Sequence, residues 1–171
     1  ILCLSTYRQI SLYGWCTKIN FPKSLRELER LTVTDYLREK QIFEKIPLLH
    51  KVSDDISLKV QEQYETFPYP RWIKAARPLR QQTVGERFRE IGISVSPINN
   101  NEIENPKILI AGCGTGQHSI TTANSFLNSR VLAIDLSLNS LAYAKMKTRK
   151  LGINNIDYLH ADILDLDKLN R

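Results

Sequence analysis

The chain has 171 residues, with 24 basic and 18 acidic side chains, and a net charge of +6. Apolar residues make up 42% and charged residues 25%, an ordinary globular mixture that excludes collagen-like, low-complexity and disordered classes. No apolar run approaches the roughly 20 residues of a membrane-spanning helix, and no signal-peptide pattern opens the chain, so no membrane partner is expected.

Residues 1–20 carry Leu2, Leu4, Tyr7, Ile10, Leu12, Tyr13 and Trp15 without a clean period, which reads as the end of a helical element. The chain starts at Ile1 rather than Met and stops at Arg171, so a piece of a longer protein is expected. Ser24 with Glu27 three residues later has the form of a capping box, and Leu25, Leu28 and Leu31 follow at helical spacing. Thr34 or Asp35 is the expected cap of a second helix carrying Tyr36, Leu37, Ile42, Phe43 and Ile46, stopped by Pro47. Residues 1–57 are thus expected to form a mainly helical leader, and another short helix is expected over 53–64, across the boundary with the segment that follows.

A connecting segment is expected over 58–106. Its Phe67-Pro68-Tyr69-Pro70-Arg71-Trp72 run has two prolines within three residues, which forbid a regular helix or a central strand. The run reads either as an apolar plug anchoring the leader or as a lid whose Tyr64, Tyr69 or Arg71 reaches a ligand. Residues 71–90 hold six basic and two acidic side chains, which reads more simply as a solvated helix face than as an RNA surface. A short helix is expected over 83–91 and an Asn-rich loop over 97–106.

From Lys107 the pattern changes. Lys107-Ile-Leu-Ile-Ala111 reads as a strand buried on both faces. A turn with Gly112, Gly114 and Gly116 follows, then a helix over 117–127, a strand over 130–134 ending at Asp135, and a helix capped by Ser137 and stopped by Gly152. A third strand over 156–159 ends near His160, Ala161 and Asp162. The order β-α-β-α-β implies an α/β fold: the N-terminal part of a Rossmann-like parallel sheet with right-handed crossovers, preceded by the helical segment.

In such sheets the ligand lies beyond the carboxyl ends of the strands. The glycine turn, Asp135 and Asp162 are therefore expected on one rim. Glycines let a ligand approach the backbone without meeting a Cβ. The helix starting near Gln117 offers N–H groups and partial positive charge to a carboxylate or phosphate. Asp135 is placed to accept both hydroxyls of a ribose, and Asp162 to accept from the exocyclic amine of a purine. Leu136 and Ile163, beside the two acids, are expected to sandwich the ring. Cys113, within the turn, is counted with the cofactor-binding residues and reads as a small buried filler rather than a nucleophile. Three cysteines without paired spacing argue against a disulfide scaffold and a zinc site, so no metal and a reducing, cytoplasmic compartment are expected. The dinucleotide fingerprint would place a small residue where Gln117 stands, and no P-loop lysine follows, which disfavours an NAD-dependent oxidoreductase.

The residues Ile108-Leu-Ile-Ala-Gly-Cys-Gly-Thr-Gly116, Val131-Leu-Ala-Ile-Asp-Leu-Ser137 and His160-Ala-Asp-Ile163 together resemble the class I S-adenosylmethionine-dependent methyltransferases. Gln61 to Trp72 is similar to the segment ahead of the methyltransferase domain in a group often found after tetratricopeptide repeats. The resemblance implies S-adenosyl-L-methionine as cofactor, Gly112, Gly114 and Gly116 at its methionine end, Asp135 on its ribose and Asp162 at its adenine. It implies methyl transfer to an acceptor of open class (protein, nucleic acid or small molecule) and upstream tetratricopeptide repeats as a possibility for the complete chain. It makes 107–171 the N-terminal half of a methyltransferase domain, with the catalytic residues expected beyond Arg171. Ala111 departs from the family pattern, in which an acid helps to fix the methionine amine. The alternative to an enzyme is a methyltransferase-like interaction protein acting through its helical leader.

Overall fold

The computed structural model describes residues 2–8, 10–66, 68–75, 78, 80–93 and 104–169. Phe67 and most of the Asn-rich loop lie outside the described residues. The chain divides into two compact units, Ile1–Lys45 and Ile46–Arg171.

In the first unit, α1 spans Leu2–Tyr7 and two 3-10 turns follow at Ile10–Leu12 and Cys16–Lys18. The Ser24/Glu27 capping box does not form: Ser24 lies inside a 3-10 turn, Lys23–Leu25, and the following α2, Arg26–Glu29, has no side-chain cap. Arg30 explains this. It donates from Nε to Glu27 Oε2 at 2.9 Å and from Nη2 to Oε1, and this charge-assisted fork holds the carboxylate in place of the cap. Neither Thr34 nor Asp35 caps a new helix, because a π-helical turn, Arg30–Thr34, carries α2 directly into α3, Asp35–Phe43. Asp35 is interior and buried, with its carboxylate 2.9 Å from Arg30 Nη1. Ile10, Cys16, Phe21 and Val33 form the core of this unit.

The second unit is built on three parallel strands in the order β1-β2-β3: Lys107–Ala111, Arg130–Asp135 and Ile156–His160. Helices α4, Asp55–Thr66, and α5, Val84–Glu90, precede the sheet. Asp54 caps α4 by accepting from the Ser57 N–H at 2.8 Å. Thr83 and Glu86 form a full capping box on α5. The crossovers are α6, Gln117–Ser125, and α7, Leu138–Lys150. Ser137 caps α7 by accepting from the Ser140 N–H, and Gly152 ends the following turn at φ +69°. Small residues Ala142 and Ala144 on α7 are buried with Leu141, Tyr143 and Met146. Residues 46–57, grouped with the leader by sequence, lie within this unit: Leu48 bridges to His160 in parallel, and Val52 is buried.

One strand departs from expectation. Of the apolar residues in β1, Ile110 is buried but Leu109 is 46% exposed and Ala111 is exposed too. The strand is covered on one face only among the described residues: Ile108 and Ile110 share the covered face, and Lys107, Leu109 and Ala111 the open one. An apolar run does not reveal whether both faces of a strand are covered. No helix among the described residues is long and apolar enough to cross a membrane.

Candidate functional site

The glycine turn joins β1 to α6, and its three glycines all have positive φ: +72° at Gly112, +53° at Gly114 and +81° at Gly116. L-residues with a Cβ reach this region only at a cost, so the turn needs glycine at each point. Their surroundings differ. A Cβ on Gly112 or Gly114 would have nothing within 4 Å, whereas a Cβ on Gly116 would lie 2.5 Å from Ala144 Cβ and 3.1 Å from the Tyr158 hydroxyl. Two glycines therefore leave space open, and the third lets α7 approach.

Asp135, at the end of β2, ties this turn down. Its Oδ2 accepts the Gly114 N–H at 2.6 Å and its Oδ1 accepts the Ser137 N–H at 2.8 Å. A carboxylate has about four acceptor positions. Each oxygen thus keeps capacity for one further donor. At the end of β3, Asp162 is 2% exposed and its Oδ1 accepts the Leu164 N–H at 3.0 Å, capping the 3-10 helix Ile163–Lys168.

The segment ahead of the sheet closes over the same rim. Trp72 is buried, and its Nε1 donates to the Thr115 carbonyl at 2.9 Å, while the Thr115 hydroxyl donates to the Pro70 carbonyl at 2.6 Å. Trp72 also meets Tyr143 edge to face at 5.9 Å, and Lys147 Nζ sits 4.9 Å from the Trp72 ring centre. The Tyr143 hydroxyl donates to the Trp72 carbonyl. At the end of α4, Glu65 accepts the Leu138 and Asn139 N–H groups and so occupies the N-terminus of α7. Gln61 donates to the Leu136 carbonyl at 2.9 Å. The Pro-aromatic run is thus a plug at Trp72 and a wall at its front. Tyr69, 77% exposed, and Pro70 line a cavity, and Tyr64 on α4 joins them. Arg71 does not line it; its guanidinium lies over the Tyr143 ring at 4.4 Å.

That cavity measures about 520 Å³, within the size range of small-molecule sites. Of the sequence-derived site residues, Gly112, Cys113, Gly114, Asp135, Leu136 and Ile163 line it. Gly116 and Asp162 do not: the first abuts Ala144, and the second is buried as a cap. Their effect on the cavity is indirect, Gly116 by admitting α7 and Asp162 by fixing the turn that carries Ile163. Thr115, Gln117, Ser140 and Ala161 complete the walls without having been singled out as ligand contacts by sequence. His118, in the first turn of α6, lines it as well. Burial, with the Asp135 charge next, raises the Cys113 thiol well above its ordinary range, so it stays protonated at neutral pH and offers no thiolate.

A glycine turn aimed at open space, an acid at the next strand end and a cavity spanning both lie together at the carboxyl rim of a Rossmann-like sheet. Residues 108–171 match the family described as a methyltransferase domain. That match spans the glycine turn, both crossover helices and strands β2 and β3. Two proteins of Rickettsia prowazekii (strain Madrid E) are similar in sequence. Uncharacterized protein RP789 is 33% identical over 61% of this chain and 17% of its own length; uncharacterized protein RP028 is 30% identical over 61% and 39%. The chain therefore spans less than half the length of these curated relatives. Among solved structures, a SAM-dependent methyltransferase from Aquifex aeolicus aligns over 66% of this chain and 48% of its own, at 18% identity and a TM-score of 0.32.

Proposed function

We propose that the cavity binds S-adenosyl-L-methionine and that the chain supplies the cofactor site of a methyltransferase. The observation that carries this reading is the Asp135–Gly114 hydrogen bond, with the open space above Gly112 and Gly114. It brings a side-chain-free backbone and a carboxylate with spare acceptor capacity to one wall, as an amino-acid tail joined to a ribose requires.

The residues fit that group in character. Gly112, Gly114 and the first turn of α6 would receive the methionine end, where the helix dipole favours a carboxylate. The remaining acceptor capacity of Asp135 would take the ribose hydroxyls. Leu136 and Ile163 would flank the adenine. Tyr64 and Tyr69 bring aromatic faces to the cavity, and such faces attract a cationic centre. The cofactor, when bound, supplies an activated methyl group on a sulfonium. The chain's own task is to orient that group and exclude water: Trp72 and Thr115 fix the front wall to the glycine turn, and Glu65 fixes α4 to α7.

Titration calorimetry of the protein with S-adenosylhomocysteine tests the reading. Asp135→Ala should weaken binding at least tenfold, since hydrogen bonds to a charged group contribute about 1.5–3 kcal/mol each. Asp135→Asn, which keeps acceptor capacity on one atom, should lose less. A thermal melt of each variant separates lost binding from lost folding. An unchanged Kd for Asp135→Ala removes this residue from the site. Absence of heat with the wild type, with heat from NAD instead, would overturn the methyltransferase assignment.

A further inference from the structure

A second cavity, about 580 Å³, lies on the other flank of α6, bounded by α5 and the segment before it. Its walls include Arg80, Gln82, Arg87, Thr122 and Phe126. His118 lines both this cavity and the one assigned to the cofactor. Resting on that assignment, we propose that the second cavity holds the anionic group, phosphate or carboxylate, of the methyl acceptor.

Three observations lead there. The first is contiguity. An acceptor must bring its nucleophile to within about 3–3.5 Å of the group it attacks, so its binding site must adjoin the cofactor cavity, and His118 is a wall common to both. Along α6, His118, Thr121, Thr122 and Ser125 follow each other at spacings of three and four residues. They line one helix face leading away from the shared wall.

The second is charge. Arg80 and Arg87 both line the cavity, and Glu90 lies beside them: Arg80 Nη2 is 3.6 Å from its Oε1, and Arg87 Nη1 is 3.4 Å from its Oε2. The Gln82 amide nitrogen, in the orientation that satisfies both ends of the amide, faces the same carboxylate at 3.3 Å. Two guanidinium groups and one amide thus converge on one acid. The cavity keeps a net positive charge.

The third is geometry. Charge-assisted N–H···O bonds close to about 2.7–2.9 Å, and the Arg30–Glu27 fork in this chain reaches that range. The Glu90 contacts are far looser, so neither guanidinium is engaged as a fork. An incoming phosphate or carboxylate would offer Arg80 and Arg87 the bidentate geometry that Glu90 does not. Thr122 adds a hydroxyl to the same wall, whereas Thr121 and Ser125 turn their protons back onto helix carbonyls at 3.0 and 2.7 Å.

The test titrates inorganic phosphate and, separately, acetate into the protein, with and without saturating S-adenosylhomocysteine, and follows the His118 ring signals by NMR. The expected result is saturable binding of at least one anion, weakened about tenfold by Arg80→Ala or Arg87→Ala and strengthened by Glu90→Gln, which removes the internal competitor. Which anion binds more tightly decides between phosphate and carboxylate. Binding should persist with S-adenosylhomocysteine present, because donor and acceptor must be held together. Unsaturable shifts, shifts indifferent to all three substitutions, or mutual exclusion of anion and S-adenosylhomocysteine would overturn the proposal. Failure of S-adenosylhomocysteine to bind is read separately, in its own heat signal, and counts against the cofactor assignment. The substituted arginines are exposed, at 69% and 50% of their side chains, so the variants should fold.

Discussion

Gly116→Ala isolates the difference between a glycine that faces an open cavity and one that lets two elements meet. The added methyl would lie 2.5 Å from Ala144 Cβ and 3.2 Å from Ala144 Cα, inside contact distance and against a helix backbone that cannot swing away. Overpacking of this kind costs about 1–3 kcal/mol. The backbone at φ +81° adds about 1–2 kcal/mol for any L-residue. The expected loss is therefore about 2–5 kcal/mol, a large part of the roughly 5–15 kcal/mol that holds a domain folded. Gly114→Ala meets nothing within 4 Å, so it should cost only the backbone part. Urea unfolding followed by circular dichroism reads both. With a slope of about 2 kcal/mol per molar, Gly116→Ala should lower the midpoint by about 1–2.5 M and Gly114→Ala by about half a molar to one molar. Ala144→Gly placed on the Gly116→Ala background should restore part of the loss, because it removes the atom struck; the coupling is read from the double-mutant cycle. A Gly116→Ala protein as stable as Gly114→Ala, or no recovery in the double variant, would refute the packing argument.

Trp72→Ala should cost about 3–5 kcal/mol, as buried Trp truncations do, with the Thr115 carbonyl left without its indole donor. Tyr69→Ala, at a 77% exposed residue, should leave the urea midpoint within error and weaken S-adenosylhomocysteine binding; equal stability losses in both would deny the division into plug and wall. Iodoacetamide at pH 8 should alkylate exposed Cys3 first, with Cys113 slow because burial holds its thiol protonated, and peptide mass spectrometry gives the order. The Thr83 N–H, the leading cause, holds the Glu86 carboxyl below its ordinary value of 4.5. The α5 capping box is thus at full strength above that value and weakens as the pH falls through the lower folded one. Thr83→Ala should cost about 1 kcal/mol at pH 7. It should also flatten the acid limb of the melting curve; an unchanged limb would place the acid sensitivity elsewhere.

The parts legible in sequence were those governed by local rules. Three glycines within five residues fixed a turn, Ser137 and Gly152 fixed the ends of α7, and alternation of short apolar runs with helical stretches fixed a parallel sheet. The Ser24/Glu27 cap failed because its acid had another partner: Arg30, one turn further on, takes Glu27 through two nitrogens. The helix break at Thr34 failed because a π-helical turn carries the chain through without needing a cap. Both competitors are neighbours in sequence, yet a capping pattern does not weigh them.

What the sequence determined by itself is the local geometry of the rim: backbone freedom at Gly112 and Gly114 and a carboxylate at the end of β2, Asp135, are properties of residue type and position. What only the tertiary structure decided is the division of labour among similar residues. Gly116 belongs to α7 and Asp162 to the turn behind Ile163, while Tyr64 and Tyr69 arrive from far upstream to form the front wall. The reason is that φ preferences and caps are set within a few residues along the chain, whereas whether an atom meets solvent, a ligand space or a helix is set by residues tens of positions away.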